Sequence, residues 1–396
     1  MERRPKSRII DMKTIEIIFI ASLAFIATPY FLYPMILMLT VKLKDRKEYE
    51  VNGRTIMPIS IIIAAYNEEK NIGRRINNCL SLAYPSELLE IIIASDGSTD
   101  GTVAVASTYN ERTVRVFASE QHRGRAQVHN DTVGVARGEI LVFTDAETIF
   151  SEDFLMEITA PFSNKEVGCV VGNLSYLQSS REGTSISQSE ALYYNKFESR
   201  LKAWESRLGI LSNGTGACMA IRKGLFLPLK ADEDVDTATP IDIILSGYKV
   251  VMAEDAVAYD IPPNSVRAEL RYRMRGVSHT LCCISRRLGR RSLRHPGLIL
   301  SVVSHRVLRY LSPYFMLLAV GLNIPLLWRG AFYQTTFALQ VLFYSTMMVG
   351  WIGEMFKKRI PIASTVFSFC MASLGMMMGV MLFILGRRYE AYDRLE

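Results

Sequence analysis

Four long stretches without a single charged residue or histidine constrain this chain most. They cover residues 17–41, 310–328, 330–353 and 360–386. Each matches the roughly 20 residues that a helix needs to cross a hydrocarbon core of about 30 Å. A buried core helix would explain one such stretch. Four of them, three in tandem near the C-terminus, predict an integral membrane protein.

The first apolar stretch follows a basic N-terminus and would also suit a secretory signal peptide. It is long for the apolar part of such a peptide, contains Pro29 and Pro34, and lacks a small-x-small cleavage site. A retained membrane anchor is therefore predicted.

Cysteine and charge distributions narrow the choice of compartment and partners. Six scattered cysteines with no CxxC pair argue against a zinc site or a disulfide framework and indicate a reducing compartment. The net charge of +7 is uneven, because residues 267–309 hold eleven arginines and one acid, Glu269. Basic residues beside membrane spans mark the cytoplasmic face and its anionic lipids. No nucleic-acid motif accompanies them, so membrane lipids are the predicted partner and nucleic acid is not.

The sequence between the first stretch and the C-terminal third has the pattern of an α/β domain. Short β-branched runs predict strands at 59–65, 89–96, 113–119 and 140–144, and amphipathic segments between them predict helices. This alternation is typical of parallel βαβ units in a sheet covered on both faces. In such sheets ligands bind beyond the carboxyl ends of the strands.

Polar side chains gather at three of these strand ends. They are Tyr66, Asn67 and Glu68 after the first strand, Asp96 after the second, and Asp145 and Glu147 after the fourth. A solvated turn would explain one acidic pair alone, but carboxylates gathered at one sheet edge repel each other unless a cation or donors share the site. Mg²⁺ or Mn²⁺ bridging a diphosphate is the simplest occupant. Neither a P-loop nor a G-x-G-x-x-G follows any strand.

Five segments within residues 57–285 carry a family resemblance: "ISIIIAAYNEEKNI", "IIIASDGSTDGT", "GRAQVHNDTVGVARGEILVFTDAET", "NGTGACMAIRKGLF" and "DEDVDTATPIDIILSGYKVVMAEDAVAYD". In order and spacing they resemble the inverting family 2 glycosyltransferases, particularly the membrane-embedded, cellulose-synthase-like branch. The resemblance implies a Rossmann-like α/β catalytic domain of the GT-A fold with N- and C-terminal transmembrane helices. The implied divisions are a tail and anchor (1–45), the GT-A domain (46–265), basic interfacial helices (266–309), and three spans with a tail (310–396).

The resemblance also implies the donor site. Ala65, Tyr66, Glu68 and Asp96 would hold the nucleotide, with Asp96 near the uracil or its ribose. Arg125 stands where family members often have a Lys, and would keep that positive charge against the donor. The segment 145–147 matches the family's DxD motif, so Asp145 would face the ribose or donor sugar, and Glu147, with Asp145, would hold Mg²⁺ or Mn²⁺. The donor is expected to be a UDP-sugar.

The acceptor side and the base are implied in the same way. The turn of Gly214, Thr215, Gly216 and Ala217 would shape the acceptor side. Family members place the base eleven residues before the Gly of a "GY-V" strand, which is Gly247 here, and this position is Asp236. Asp234 is the second choice, and an acidic surface loop is the non-catalytic explanation. Asp236 would take the acceptor proton in one displacement that inverts the anomeric centre.

One departure from the family pattern concerns the number of sugars that the enzyme adds to its product. Processive members carry Q-x-x-R-W after the base, whereas this chain has "RAELRYRMRGVSHTL". Arg273 and Arg275 are predicted to contact the diphosphate, but the Gln and Trp are missing, which favours addition of one or a few sugars. A membrane-surface helix that binds lipid phosphates would also explain these arginines.

The resulting hypothesis is a metal-dependent glycosyltransferase of the cell membrane, with its catalytic domain facing the cytoplasm and an envelope glycan or glycolipid as acceptor. Transfer to a polyprenyl phosphate or lipid head group, a non-catalytic scaffold, and a transporter are the alternatives. Spans without buried ionisable residues disfavour the transporter. The positive-inside rule gives conflicting indications for this topology. With a cytoplasmic catalytic domain, Lys357, Lys358 and Arg359 would lie inside, as the rule requires, whereas the basic residues at 3–8 would lie outside.

Overall fold

The computed structural model describes residues 11–44, 56–109, 113–177, 193–261, 265–356 and 358–387. The basic N-terminal residues 3–8 and Lys357, on which part of the topology prediction depends, lie outside the described residues.

Strands and helices alternate through the middle of the chain, and helices alone follow. The described strands are β1 (Ile59–Ala65), β2 (Leu89–Asp96), β3 (Val114–Ser119), β4 (Ile140–Asp145), β5 (Ile149–Phe150), β6 (Val167–Tyr176), β7 (Met219–Arg222) and β8 (Lys249–Asp260). The described α-helices are α1 (Met12–Ala27), α2 (Tyr33–Lys44), α3 (Glu69–Leu80), α4 (Thr102–Ser107), α5 (Arg125–Val135), α6 (Phe154–Thr159), α7 (Ser199–Arg207), α8 (Val235–Leu245), α9 (Val266–Arg287), α10 (Pro296–Ser301), α11 (Leu308–Leu326), α12 (Ala331–Met355) and α13 (Pro361–Ile384).

The described strands form one mixed sheet in the order β3-β2-β1-β4-β7-β6-β8-β5. The first four strands in this order are parallel to one another, as the sequence predicts. Ile61 and Ile63 of β1 pack with α3 on one face, and Ile62 packs with α5 on the other. Because side chains alternate between faces along a strand, a continuous apolar run is what a strand buried on both faces requires.

The second half of the sheet does not follow the parallel βαβ pattern. Strand β7 runs antiparallel to both β4 and β6, and β5 runs antiparallel to β8. Strands β6 and β8 are parallel to each other. The reversed strand β7 therefore joins two parallel groups, and β5 brings the turn after β4 beside the end of β8.

Four described helical segments are long and apolar enough to cross a membrane: Met12–Leu43, Pro296–Arg329, Ala331–Met355 and Pro361–Ile384. They coincide with the four predicted stretches. The first contains a π-helical turn at Thr28–Leu32. Pro29 lies in that turn, where its missing N–H and its ring disturb the regular hydrogen-bond ladder.

Helix α9 packs along α13 through two glycines. A Cβ on Gly375 would lie 2.8 Å from the Cβ of Arg273, and one on Gly379 would lie 2.7 Å from the carbonyl oxygen of Met274. Side chains at these two positions would separate the helices, so close contact between α9 and α13 depends on glycine.

A buried polar cluster joins the sheet domain to the apolar helices. Tyr33 donates to Glu205 of α7 at 2.7 Å. The two ring nitrogens of His305 lie 2.9 Å from a Glu205 oxygen and 3.0 Å from a Glu198 oxygen, and Arg309 donates to Glu198 at 2.9 Å. Each ring nitrogen of His305 therefore has a carboxylate oxygen as its partner. We call these five residues the junction cluster.

Candidate active site

The parallel strands bring their carboxyl ends to one edge of the sheet. Ala65 of β1 lies opposite Ser95 of β2, and Ala64 lies opposite Asp145 of β4. Asp96 ends β2 one residue further along. The predicted gathering of the "AYNE", "DGSTDGT" and "TDAET" segments at one edge is therefore present.

The segment after β1 is fixed against the turn after β2. Asn67 has a φ of 55°, an uncommon conformation that Asn tolerates better than most residues. The side-chain oxygen of Asn67 accepts from the Thr99 backbone amide at 2.8 Å, and the Asn67 backbone amide donates to the Ser98 hydroxyl at 3.1 Å. The Glu68 amide donates to Thr102 at 2.7 Å. These bonds explain why the two polar segments occur together.

Asp96 is buried, and its carboxylate is fully engaged by the loop before α5. One oxygen accepts from the Arg123 amide at 2.9 Å, and the other accepts from the Gly124 amide at 2.8 Å. His122 Nδ1 lies 2.8 Å from the second oxygen. The His122 ring stacks on Tyr66 with centroids 4.0 Å apart. Asp96 thus fixes the loop that leads to Arg125, and its contact with a nucleobase or ribose stays a prediction.

Arg125 begins α5 and forms an ion pair with Asp145. Both side chains are about one third exposed, at 30% and 34%, so the pair lies at the surface of the sheet edge. Glu147, two residues further, is exposed. The DxD-like segment therefore presents one carboxylate to a cation of the protein and one to solvent.

Buried side chains hold this segment from behind. Arg75 is fully buried, donates to Thr144 at 2.9 Å, and lies over the Phe150 ring at 4.0 Å. Asn78 exchanges two hydrogen bonds with the Phe150 backbone. The residues that flank positions 145–147 are consequently fixed on both sides. Sequence reasoning missed Arg75 and Asn78, whose only signal is an Arg and an Asn on an otherwise apolar helix face.

Asp260 is an acid near the DxD-like segment that sequence reasoning did not single out. It ends β8, and its carboxylate accepts from Thr148 at 3.4 Å. Burial, together with the charge of Glu147, raises the pKa of Asp260 to about 6 against the opposing bond from the Ile261 amide. The signal in the sequence was its place at the end of a strand.

The acidic segment 232–236 divides into paired and unpaired members. Arg286 binds both oxygens of Asp232 at 2.6 and 2.7 Å, and Arg287 donates to Glu233 at 2.8 Å. Asp234 precedes α8, with His279 Nδ1 3.1 Å from its carboxylate. Within the described part of the chain, Asp236 is the member of this segment without an ion pair. The acidic-surface-loop explanation is disfavoured, because Asp232 and Glu233 are buried.

Asp236 lies beside the predicted acceptor turn. A Cβ on Gly216 would lie 3.9 Å from both Arg125 Nη1 and Asp236 Oδ2, so these two side chains border one small space. The Gly214 amide donates to the Asp236 carbonyl at 2.6 Å. A Cβ on Gly214 would lie 2.4 Å from Met219 Sδ and 3.1 Å from the Asp236 carbonyl oxygen, so a larger residue would crowd both.

The surroundings of Asp236 and Asp234 shift the pKa values of these two carboxyl groups in opposite directions. Burial and the Asp234 charge raise the pKa of Asp236, against the opposing effect of Arg125. Burial also raises the pKa of Asp234, but His279 and Arg275 outweigh it, and the net shift is downward. Carboxylates with opposed shifts in one site are typical of acid–base centres.

Comparison with known proteins identifies the domain. Residues 60–227 match the family model described as Glycosyl transferase family 2. Residues 60–227 are therefore identified as a family 2 glycosyltransferase domain.

Curated relatives of this family 2 domain include poly-beta-1,6-N-acetyl-D-glucosamine synthase of Staphylococcus epidermidis, 25% identical over 55% of this chain and 53% of that protein. Glycosyltransferase GlyG of Streptococcus pneumoniae is 31% identical over 29% of this chain and 38% of that protein. The chain therefore spans about half the length of the synthase.

The fold is similar to that of mannosyltransferase PcManGT from Pyrobaculum calidifontis, solved in complex with GDP-Man and Mn²⁺. The TM-score is 0.71 at 19% sequence identity, over 94% of this chain and all of the other. This likeness extends beyond the family 2 domain into the apolar helices. The predicted GT-A fold with flanking apolar helices is confirmed, and the four apolar segments mark the chain as a membrane protein.

The donor set at positions 145–147 suits a metal ion that arrives with its substrate. No three His, Cys, Asp or Glu side chains of the described residues are grouped so as to hold an ion by themselves. Mg²⁺ is usually held by one or two carboxylates together with substrate phosphates and waters. The exposed Glu147, next to Asp145, fits that arrangement, and metal binding by both stays a prediction.

Arg273 and Arg275 lie on α9 but have different surroundings. Arg273 Nε donates to the buried Glu269 at 2.6 Å, and its Cβ packs near Gly375 of α13. The charge of Arg275 helps to lower the pKa of Asp234, a member of the acidic segment 232–236. Contact of either arginine with a diphosphate stays a prediction.

Proposed function

We propose that this chain is a membrane-bound inverting glycosyltransferase that transfers a sugar from a UDP-sugar to an envelope glycan or glycolipid. The observation that supports this most is the meeting of Asp236 and Arg125 at Gly216, with Asp145 on the other side of Arg125. A base, a cation and a donor-binding carboxylate are the parts that a single displacement needs.

In the proposed reaction, Asp236 accepts the proton of the acceptor hydroxyl while that oxygen attacks the anomeric carbon. The new C–O bond forms as the bond from that carbon to the diphosphate breaks, and the electron pair leaves with the diphosphate. Glu147 and Asp145 would hold a divalent ion, which neutralises charge on the leaving group. Attack opposite the leaving group turns an α-linked donor into a β-glycoside.

The names of similar proteins support a nucleotide-sugar donor and a divalent metal ion. The Staphylococcus epidermidis relative is a synthase of a β-linked amino-sugar polymer, and PcManGT binds GDP-Man and Mn²⁺. These two proteins act on different sugars, so the donor has to be found by experiment.

A donor screen tests the proposal. The full chain in nanodiscs would be supplied with UDP- and GDP-sugars, Mn²⁺ or Mg²⁺, and either octyl glycosides or a polyprenyl phosphate as acceptor. We expect metal-dependent release of nucleotide diphosphate with one donor, and a product of inverted configuration. If no donor is turned over and no nucleotide binds with either metal, the proposal fails and a non-catalytic scaffold explains the fold better.

A polyprenyl phosphate acceptor is the second candidate. Arg125 borders the same small space as Asp236, and Lys202 bonds to the turn beside it, and two cations at this place suit an acceptor that is itself a phosphate. A phosphate oxygen needs little help from a base. In the donor screen this candidate requires turnover with the polyprenyl phosphate and none with the octyl glycosides.

A catalytic domain that faces the cytoplasm is part of the proposal. Arg290, Arg291 and Arg294 are exposed in the 3₁₀ turn before the segment Pro296–Arg329, and basic residues beside a span favour the cytoplasmic side. In an Arg290→Cys variant, a membrane-impermeant maleimide should label inverted vesicles and spare right-side-out ones. The described native cysteines are buried except for Cys370, which a Cys370→Ala background removes. Labelling from the outer side would reverse the orientation.

A further inference from the structure

Lys202 of α7 is a buried lysine whose ammonium group faces the predicted acceptor turn. Its side chain is 3% exposed. Nζ donates to the Gly214 carbonyl at 2.9 Å and to the Thr215 hydroxyl at 2.7 Å. Lysine is almost never fully buried without partners, because removing its charge from water is costly. The acceptor turn provides two of those partners.

The same turn is bonded to the catalytic segment. The Gly214 amide donates to the Asp236 carbonyl at 2.6 Å, so the same residue bonds to Lys202 through its carbonyl and to the Asp236 backbone through its amide. A change in the position of Lys202 is therefore transmitted to Asp236 through a single residue.

Helix α7 is itself held in place by the apolar helices. Glu198, Lys202 and Glu205 recur at intervals of four and three residues, which brings them to one side of a helix. Glu198 and Glu205 belong to the junction cluster, where His305 contacts both carboxylates. Lys202 therefore projects from a helix whose neighbouring acids are fixed by the membrane segments.

We propose that Lys202 is a positioning residue for sugar transfer: it holds the 214–216 turn against Asp236 and places a positive charge beside that carboxylate. This inference rests on the proposed function, and it adds a residue that no strand-end motif contains.

Four charged groups from the surrounding elements affect the pKa of the Asp236 carboxylate. Asp234 precedes it in the chain, Arg125 comes from α5, Lys202 from α7, and Arg306 from the π-helical turn before α11. Burial and Asp234 raise the pKa of Asp236, and the three cations lower it. Loss of the Lys202 charge consequently raises this pKa further, so a higher pH is needed to keep the base ionised.

The test compares Lys202→Met with the wild type in nanodiscs, using the donor and the octyl glycoside that the wild type accepts. We expect kcat/KM for the octyl glycoside to fall about tenfold to a hundredfold, the size expected for hydrogen bonds from a charged donor. The acid limb of the pH–rate profile should move to higher pH, while the dissociation constant of the nucleotide sugar stays unchanged.

Three further variants make the result specific. Lys202→Arg keeps the charge and should restore the acid limb. Thr215→Val removes one acceptor and should weaken octyl glycoside use without moving that limb. Arg200→Met changes an exposed residue of the same helix and should match the wild type.

Several outcomes would overturn the inference. Lys202→Met with an unchanged acid limb and unchanged acceptor KM would do so. A parallel loss of donor binding and activity would mean that Lys202 only stabilises the fold. Either result leaves the proposed function intact if the wild type transfers sugar. A wild type that transfers no sugar from any donor instead removes the proposed function, and this inference with it.

Discussion

Replacing Asp236 by Asn is expected to lower the rate of sugar transfer to a hydroxyl acceptor by roughly 10²- to 10⁴-fold, the range for loss of a general base. An amide of the same shape accepts no proton. The fold should survive, because the bond from the Gly214 amide goes to the Asp236 backbone carbonyl and not to the carboxylate. Affinity for the nucleotide sugar should stay within about twofold of the wild type, since Asp236 acts on the acceptor.

The measurement is single-turnover transfer to the octyl glycoside, with donor affinity determined by calorimetry on the same preparation. Asp255→Asn, a change in the middle of β8, is the matched control and should transfer at the wild-type rate. Full activity of Asp236→Asn with the octyl glycoside would refute its role as base. Full activity with a polyprenyl phosphate alone would instead favour the second candidate acceptor.

Replacing Glu147 by Ala is expected to abolish the stimulation of sugar transfer by a divalent metal ion. A bound metal ion stabilises a leaving diphosphate by several kcal/mol, so loss of the ion should reduce turnover by a hundredfold or more, as about 1.4 kcal/mol corresponds to tenfold. The side chain is exposed, and its removal leaves Arg75 and Asn78 in place behind the segment. The variant should therefore stay folded.

The measurement is a Mn²⁺ titration of diphosphate release and of nucleotide-sugar binding. Glu152→Ala, an exposed acid a few residues further along, is the control and should titrate like the wild type. An unchanged Mn²⁺ response in Glu147→Ala would exclude this carboxylate as a metal ligand. Asp260, which lies close enough to sense the Glu147 charge, would then be the next candidate.

The parallel half of the sheet could be predicted from the sequence because of how its strands are buried. Strands β1 and β2 are buried on both faces, so their apolar runs are continuous, and polar turn residues mark where each run stops. Both strands have the predicted bounds. Strand β7 has only four residues and closely follows the predicted acceptor turn, so its reversed direction left no periodic signal.

The site was predictable where topology alone brings residues together. Asp96 and Asp145 lie at the same edge because the ends of parallel strands share it. Pairings across long stretches of chain were not predictable. Arg286 binds Asp232 from 54 positions away, and this pairing depends on how α9 folds back over α8. The sequence predicted that Asp96 belongs to the site, but it did not predict the hydrogen bonds of Asp96 to the loop before α5.

The junction cluster has a consequence for where this protein can be divided. A cut at residues 45 and 265, which the sequence suggests, would leave Glu198 and Glu205 in the excised piece, and would leave Tyr33, His305 and Arg309 with the lipid-facing half. Leaving one member of a buried ion pair without its partner destabilises a protein by about 3–5 kcal/mol, which is a large share of the stability of an ordinary domain. The two carboxylates and the side chains that bind them lie on opposite sides of the boundary, so the enzyme and its anchor are a single thermodynamic unit.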